Sequence, residues 1–401
     1  MSRRLYQEDS YRTRFRARVE DIFKHENRYG VVLDVTLFYP ESGGQPSDRG
    51  RLADLPILDV IELDNRIAHI AAHKPAFQVG DEVEGEIDWE RRFVNMQQHT
   101  GQHILSQAFL RKLGARTVGS RLGTEHSTID VDYLDLDWEQ AAAVESLANR
   151  IVTENRRVKT YEAARGEVKD LRVKKPLDRE VLRIVEVEDF DKSPCGGTHC
   201  SRTGEVGLIK ILRWEKVRNT SRIEFICGRL AEKDYFWKSR FIVELAQELT
   251  TKDTNIPNQI RNLIEENRGL RRQIETLRAE LFSFQARDLE RQIERIKDVE
   301  VLVAYLEDSD IEAIRAIAMD VTKSPRRVAL LAAGRDRVHV IFSRSKDLDI
   351  DMRPLITAAC QMLEGRGGGK PEVCQGGGRK AEATPKALEQ ARQHLIELLG
   401  T

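Results

Sequence analysis

Trp89-Glu90-Arg91-Arg92-Phe93-Val94-Asn95-Met96-Gln97-Gln98-His99-Thr100-Gly101-Gln102-His103-Ile104-Leu105-Ser106-Gln107-Ala108-Phe109-Leu110-Arg111-Lys112 marks the point where the chain changes texture. It has no proline and one glycine, and Phe93, Met96, His103, Ile104, Ala108 and Leu110 recur at helical spacing, which predicts a helix. What precedes it is β-rich. Tyr29-Gly30-Val31-Val32-Leu33-Asp34-Val35-Thr36-Leu37-Phe38 opens on glycine and is rich in β-branched residues. Glu41-Ser42-Gly43-Gly44-Gln45-Pro46-Ser47-Asp48-Arg49-Gly50 then packs turn formers too densely for a helix. Short strands around residues 58–61 and 83–87 complete a region, 1–90, that reads as a small β-barrel or sandwich.

Beyond that helix, residues 91–235 read as α+β, with a second helix over about 138–155. Residues 236–298 carry one long helical pattern, broken at Ile256-Pro257. Within it Leu263, Asn267, Leu270, Ile274, Leu277, Leu281 and Phe284 alternate steps of four and three. That is a 3.5-residue period, with Asn267, Ile274 and Leu281 at a positions. A lone Asn at an a position among d-position leucines suits a parallel dimer. One amphipathic helix packed on its own domain, or an antiparallel hairpin, fits the pattern too. Residues 299–401 read β-α-β-β-α, then a glycine-dense loop over 365–379, then a last helix over about 386–399. The fold class is therefore α+β, in four parts: barrel, α+β domain, helical linker and C-terminal α/β domain.

The chain's 401 residues are enough for two or three domains with real cores. Lys and Arg number 65 against 66 Asp and Glu, a balance that argues against a uniformly basic nucleic-acid coat. No apolar run approaches the ~18 residues of a membrane span. The N-terminal residues lack the apolar stretch of a secretory signal. The five cysteines are an odd number, and two of them flank a histidine; this reads as reduced, cytoplasmic thiols with one kept for metal.

That metal site has two halves. His99 and His103 lie four apart, on one helical face. Cys195-Gly196-Gly197-Thr198-His199 brackets a Gly-Gly turn that lets a thiolate and an imidazole converge. Three nitrogens and one sulfur suit one zinc ion per chain. Satisfied core histidines and a buried thiol are the alternative. Thr100 follows His99, where a His-Glu-x-x-His protease would have its catalytic Glu.

The stretches Met96–Leu105 and Cys195–His199 together resemble the editing domain of alanyl-tRNA synthetases. Residues 38–46, Phe-Tyr-Pro-Glu-Ser-Gly-Gly-Gln-Pro, look like the β-barrel that precedes it, and Ser221-Arg222-Ile223-Glu224 like the signature that closes it. The 365–379 stretch resembles the DHH-associated C-terminal domain of the same synthetases. No room exists before Thr36 for their aminoacylation region, so the nearest likeness is to the long, free-standing, trans-acting alanyl-tRNA editing proteins. One departure is Ser42, where the family often has a third glycine.

The resemblance implies hydrolysis of Ser-tRNA(Ala), with Gly-tRNA(Ala) a second substrate. His99, His103, Cys195 and His199 would hold the zinc, with the two helical histidines beside the reacting ester. Thr36 is the family's position for rewarding the serine hydroxyl. Gly43, Gly44 and Gln45 would wall the pocket or approach the terminal adenosine, and Gln45 would contact the ester or adenine. A threonine chosen for its β propensity is the plain alternative at position 36. Lys210, Arg213 and Arg218 in one basic stretch, and Arg366, Lys370 and Arg379 in the tail, are the expected tRNA contacts. The expected partners are tRNA(Ala) and a second copy of the chain, paired through the 260–290 helix and the C-terminal domain. Two other readings stay open: a tRNA-binding protein with a purely structural zinc, and an editing factor for threonyl-tRNA.

Overall fold

The computed structural model describes residues 2–164 and 181–400. They form two compact units, 1–245 and 246–401.

In the first unit, strands Arg14–His25, Arg28–Leu33, Arg66–Ala71, Leu55–Leu63, Gly50–Leu52 and Glu82–Ile87 pair in that order and close into an antiparallel barrel. Alternation drives the closure. Along Arg14–His25, Phe15, Ala17 and Val19 point inward between exposed charged neighbours. They join Val31, Leu33, Leu37, Phe38, Leu52 and Ile57 in one core. The segment between strands Val35–Thr36 and Gly50–Leu52 carries a tight turn in which Ser42 and Gln45 exchange backbone hydrogen bonds of 3.2 and 2.9 Å. Gly43 and Gly44 have φ of +58° and +84°, the positive values a two-residue type I′ turn demands. Ser42 precedes that pair and needs no positive φ, which is why serine is tolerated there.

The helix expected around the two histidines runs Trp89–Leu113, capped by the Asp88 side chain and stopped by Gly114 at φ +68°. It is buried almost all round between residues 95 and 105, although seven of those side chains are polar. Each needs a partner, and the sheet end supplies several. The Gln98 amide bonds both N and O of Cys227, and the Gln97 amide bonds Glu205 O and Arg229 N. A four-stranded sheet (Ile209–Val217, Thr220–Cys227, Ser127–Val131, Thr117–Arg121), a three-stranded sheet (Val158–Ala164, Val181–Val187, Asp191–Pro194) and helix Trp138–Thr153 complete the core.

The helical stretch differs from expectation. One helix, Gly228–Glu248, starts before residue 236. A second, Ile256–Leu289, takes Pro257 in its first turn, where proline's missing N–H costs nothing. Residues 290–298 are no longer α-helical and include strand Glu294–Ile296. Leu263, Leu270, Ile274, Leu277, Leu281 and Phe284 are all exposed, and only Ile256, Ala286 and Leu289 of this helix are buried.

In the second unit a six-stranded sheet orders Glu294–Ile296, Val299–Leu306, Arg327–Ala333, Val338–Arg344, Val373–Gly378 and Arg366–Lys370. Apolar cores lie on both faces. The glycine-dense stretch is a hairpin rather than a loop: Arg366–Lys370 pairs antiparallel with Val373–Gly378. The ladder needs only backbone groups, and packing needs the glycines. A Cβ on Gly376 would meet Cys360 Sγ at 2.5 Å and Gly367 Cα at 2.6 Å.

Candidate metal centre

The two halves of the sequence motif meet. Donor atoms of His99, His103, Cys195 and His199 all lie within 4.8 Å of one another. All three imidazoles are buried. Each helical histidine is held by its Nδ1. His99 Nδ1 donates to Gln45 Oε1 at 2.7 Å, and its Nε2 faces Cys195 Sγ at 3.3 Å. His103 Nδ1 donates to Asp191 Oδ2 at 3.1 Å. That leaves His103 Nε2 buried with no partner, and both ring nitrogens of His199 are in the same position. Orphaned buried nitrogens converging on a thiol are what a metal ion would satisfy, so the residues fit one.

The charge state points the same way. Burial would raise the Cys195 thiol, but the neighbouring His99 and His199 bring it well below its ordinary value. Burial would lower His103, yet its hydrogen bond to Asp191 and the neighbouring Cys195 sulfur raise it to about 10. His199 is pushed down to about 3, by burial first and then by its neighbour His99. The direction at Cys195 favours the thiolate, the form in which a cysteine takes up a cation. Cys200, next in sequence, points elsewhere: it is buried, its thiol is pushed up to about 12 by desolvation, and its N–H donates to Thr100 Oγ1 at 3.0 Å.

Support comes from positions that no spacing rule marks. Gln45 is fully buried. Its Oε1 also accepts from Thr198 N at 3.2 Å, and its Nε2 donates to Thr198 Oγ1 at 2.9 Å. Gly197 must be glycine, since a Cβ there would lie 2.2 Å from His99 Cε1. Arg183 Nη1 clamps the motif's turn through Cys195 O and Gly197 O, both at 2.9 Å. Arg92, fully buried, donates to Asp48, Leu37 O and Ser10 O and so ties the helix to the barrel. Nothing local in the sequence marks the roles of Asp191, Thr198, Arg183, Arg92 and Asp48, because most of their partners lie far away along the chain.

Thr36 belongs to a second network, inside the barrel. His69 Nδ1 donates to Val31 O at 2.8 Å, which leaves Nε2 as an acceptor; Thr36 Oγ1–H donates to it, also at 2.8 Å. Burial holds His69 neutral, with its pKa down at about 4. Phe38 N donates to Thr36 Oγ1 at 3.0 Å. One lone pair of the hydroxyl is left, so Thr36 can only accept from anything further. Gly43 has open space around it, while Gly44 rests against Ser120 O.

The basic stretch 210–222 is largely neutralised. Lys210 pairs with Glu145, Arg213 with Glu224, Lys216 with Asp135 and Arg222 with Asp130. Arg218 sits in the turn, at φ +56°. In the second unit, Arg366 and Arg379 line a cavity of about 430 Å³ with Arg337, His339 and Glu364, and Lys370 ends the exposed strand of the hairpin.

Comparison with known proteins agrees with this architecture. The chain is 32% identical to the alanyl-tRNA editing protein AlaX-L of Pyrococcus horikoshii, over 98% of this chain and 100% of that protein. The chain belongs to the alanyl-tRNA editing family. Its members are aminoacyl-tRNA hydrolases, and this chain is an enzyme of that class. Family models match as the threonyl and alanyl tRNA synthetase second additional domain at residues 182–224, the DHHA1 domain at 298–397 and the class II (A) tRNA synthetases at 11–91. Alanine–tRNA ligases of Pyrococcus abyssi and Pyrococcus furiosus are each 32% identical, over 97% and 98% of this chain. The chain spans only 43% and 44% of those ligases. Among the described residues, no helix is long and apolar enough to cross a membrane.

Proposed function

We propose that this editing enzyme deacylates Ser-tRNA(Ala) in trans, with Gly-tRNA(Ala) a second substrate, and that the ion in its His99–His103–Cys195–His199 site is zinc. The observation that carries the reading is the convergence of these four donors, two of them oriented by Gln45 and Asp191, in a chain of this family. In the reaction water adds to the ester carbonyl carbon and the acyl–oxygen bond breaks. The released electron pair and a proton go to the ribose hydroxyl. When bound, zinc would polarise the carbonyl or lower the pKa of a water toward 7. The chain's own residues bind and orient. Gly43 and Gly44 let backbone approach the terminal adenosine, and Thr36 selects. Its remaining lone pair can accept from a seryl hydroxyl, and alanine has nothing to donate. A site built to bond a substrate hydroxyl discriminates against the analogue lacking it by large factors.

Lys210, Arg213, Arg218, Arg366, Lys370 and Arg379 are proposed tRNA contacts. The exposed heptad stripe from Leu263 to Phe284 supports pairing of two chains through this helix. The four-part domain division and a cytoplasmic site of action, where the mischarged ester arises, belong to the same reading.

One observation favours a second reading. Four protein ligands fill a tetrahedral shell, the pattern of structural zinc. Zinc removal separates the two: lost hydrolysis with intact folding supports a catalytic site, and outright unfolding supports a structural one. The decisive experiment follows ester loss from Ser-tRNA(Ala), Gly-tRNA(Ala), Ala-tRNA(Ala) and Ser-tRNA(Thr). Cleavage of Ser-tRNA(Ala) but not of Ala-tRNA(Ala) is expected, with Gly-tRNA(Ala), which also lacks the hydroxyl, cleaved more slowly than Ser-tRNA(Ala). No acceleration of any mischarged species over buffer refutes the enzyme, and preferential cleavage of Ser-tRNA(Thr) refutes the alanine assignment.

A further inference from the structure

The residues that follow Gln45 line a hollow of about 390 Å³, together with Arg28, Arg49, Arg91 and Leu58, and with Glu41 and Asp59 also in its wall. Three guanidinium groups meet there without ion-pair partners among the described residues. Arg49 Nε donates to Leu58 O at 3.1 Å and Arg91 Nε to Ser47 O at 2.9 Å, so both use one donor on backbone and keep the planar fork free. Asp59 is already engaged, accepting from Ser47 Oγ at 2.6 Å and from Val60 N at 2.8 Å. The contrast with the 210–222 stretch is direct. There, Lys210, Arg213, Lys216 and Arg222 are matched by Glu145, Glu224, Asp135 and Asp130.

We propose that this hollow is a phosphate subsite for the single-stranded 3′ end of the RNA substrate, with Arg49 and Arg91 as bidentate ligands and Arg28 at the mouth. The placement favours RNA backbone. Pro46 and Ser47 line the hollow, and the preceding residue, Gln45, holds the metal ligand His99. The hollow's lining thus begins one residue along the chain from the side chain that orients His99, and in this proposal the phosphates nearest the ester meet it there. Arginine forks match phosphate oxygens geometrically, and each contact releases a condensed counterion. The crowding is consistent: burial, and then the neighbouring Arg49 charge, lowers the Arg91 pKa, a cost that an anion would relieve.

The inference rests on the reading that the substrate is an aminoacyl-tRNA, and the test separates the two. The probe is a tRNA acceptor minihelix ending in CCA, uncharged for binding and seryl-charged for hydrolysis. 3′-Seryl-adenosine serves as the phosphate-free comparison. Arg28 and Arg49 are exposed, so the Arg28→Ala/Arg49→Ala variant is expected to keep its fold, checked by circular dichroism. Its preference for the minihelix over seryl-adenosine, as a ratio of kcat/KM, should fall on the order of tenfold. In anisotropy titrations the slope of log K against log salt should shrink by about 0.7 for each phosphate that the variant no longer neutralises. Arg49→Lys should recover part of both. An unchanged ratio together with an unchanged slope overturns the subsite. If the unmodified enzyme hydrolyses neither substrate, the hydrolase reading fails, and the subsite stands or falls on the binding slope alone.

Discussion

Gln45 is where the sequence and the structure suggest different work, and replacing it by leucine separates the two. Leucine is close in size and cannot hydrogen-bond. The change removes the acceptor of His99 Nδ1–H at 2.7 Å and of Thr198 N–H at 3.2 Å, and the donor to Thr198 Oγ1 at 2.9 Å. Two buried N–H groups are left unpaired, each costing about 1–3 kcal/mol. Relaxation is limited, because Gly197 already sits against both His99 and Gln45. His99 loses the bond that fixes its tautomer and aims Nε2 at the other donors. Loss of such outer partners lowers metal affinity by about 10–100-fold, or about 1.4–2.7 kcal/mol. Zinc affinity, measured by competition with a chromogenic chelator, should therefore fall by one to two orders of magnitude in Gln45→Leu. Gln45→Glu keeps an acceptor at the same place and should bind at least as tightly as the unmodified protein. If Gln45→Leu binds zinc within about twofold of the parent while kcat/KM for Ser-tRNA(Ala) collapses, Gln45 contacts substrate, and its assignment as a positioning residue is wrong.

Other consequences can be measured on the same protein. Arg92→Met strands the Asp48 carboxylate and two carbonyls in the interior and should destabilise by about 3–5 kcal/mol in urea unfolding. Arg92→Met/Asp48→Leu should regain part of that, and an additive loss would contradict direct coupling. His69 is held neutral with a pKa of about 4 against an ordinary value of 6.5, so the unfolded chain binds the extra proton between those values. Its contribution is intact above pH 6.5 and is lost as pH falls toward 4, by about 3 kcal/mol in all. His69→Gln should flatten that part of the stability profile, and an unchanged profile would mean that His69 is not the titrating group. Metal-free protein should be alkylated by iodoacetamide first at Cys195, whose thiolate is favoured, and later at Cys200 and Cys227, which burial raises. Zinc should protect Cys195, and peptide mass spectrometry reads the order. Asn267→Lys should lower the sedimentation mass if two chains pair through this helix, and an unchanged mass argues against that pairing.

What could be read in the sequence was whatever chemistry is written locally. His99 and His103 announce themselves by helical spacing, and Cys195 and His199 by the glycines between them. The residues that orient those ligands carry no such mark. Gln45 is 54 positions from His99 and Asp191 is 88 from His103. Their roles exist only once the barrel and the three-stranded sheet have folded against the helix. The glycine-rich tail misled for a different reason. Glycine is a turn former in composition, but in this hairpin it is what lets two strands and a helix approach closely. Charge was legible only in part. The run of cations over 210–222 stands out along the chain, but the carboxylates that the fold brings to four of them do not. Arg28, Arg49 and Arg91 are scattered through the sequence and form a group only around the barrel's turn.

The barrel and the metal helix hold each other by reciprocal contacts, and this bears on how the site works. Arg92 leaves the helix to bind Asp48, Leu37 O and Ser10 O on the barrel side, and Gln45 leaves the barrel to bind His99 on the helix. Asp48 also accepts from Tyr39 N at 2.7 Å, and Tyr39 Oη donates to Ser42 O at 3.0 Å, so the buried charge pair and the Ser42–Gln45 turn are one connected structure. Whatever binds only the assembled form stabilises it by mass action. A metal ion on His99 would therefore tighten the turn through Gln45, and a ligand that seats the turn would pre-orient His99 for metal. Coupling of this kind is reciprocal in free energy. It ties the barrel to the metal site: the barrel supplies the acceptor that orients one of the site's ligands.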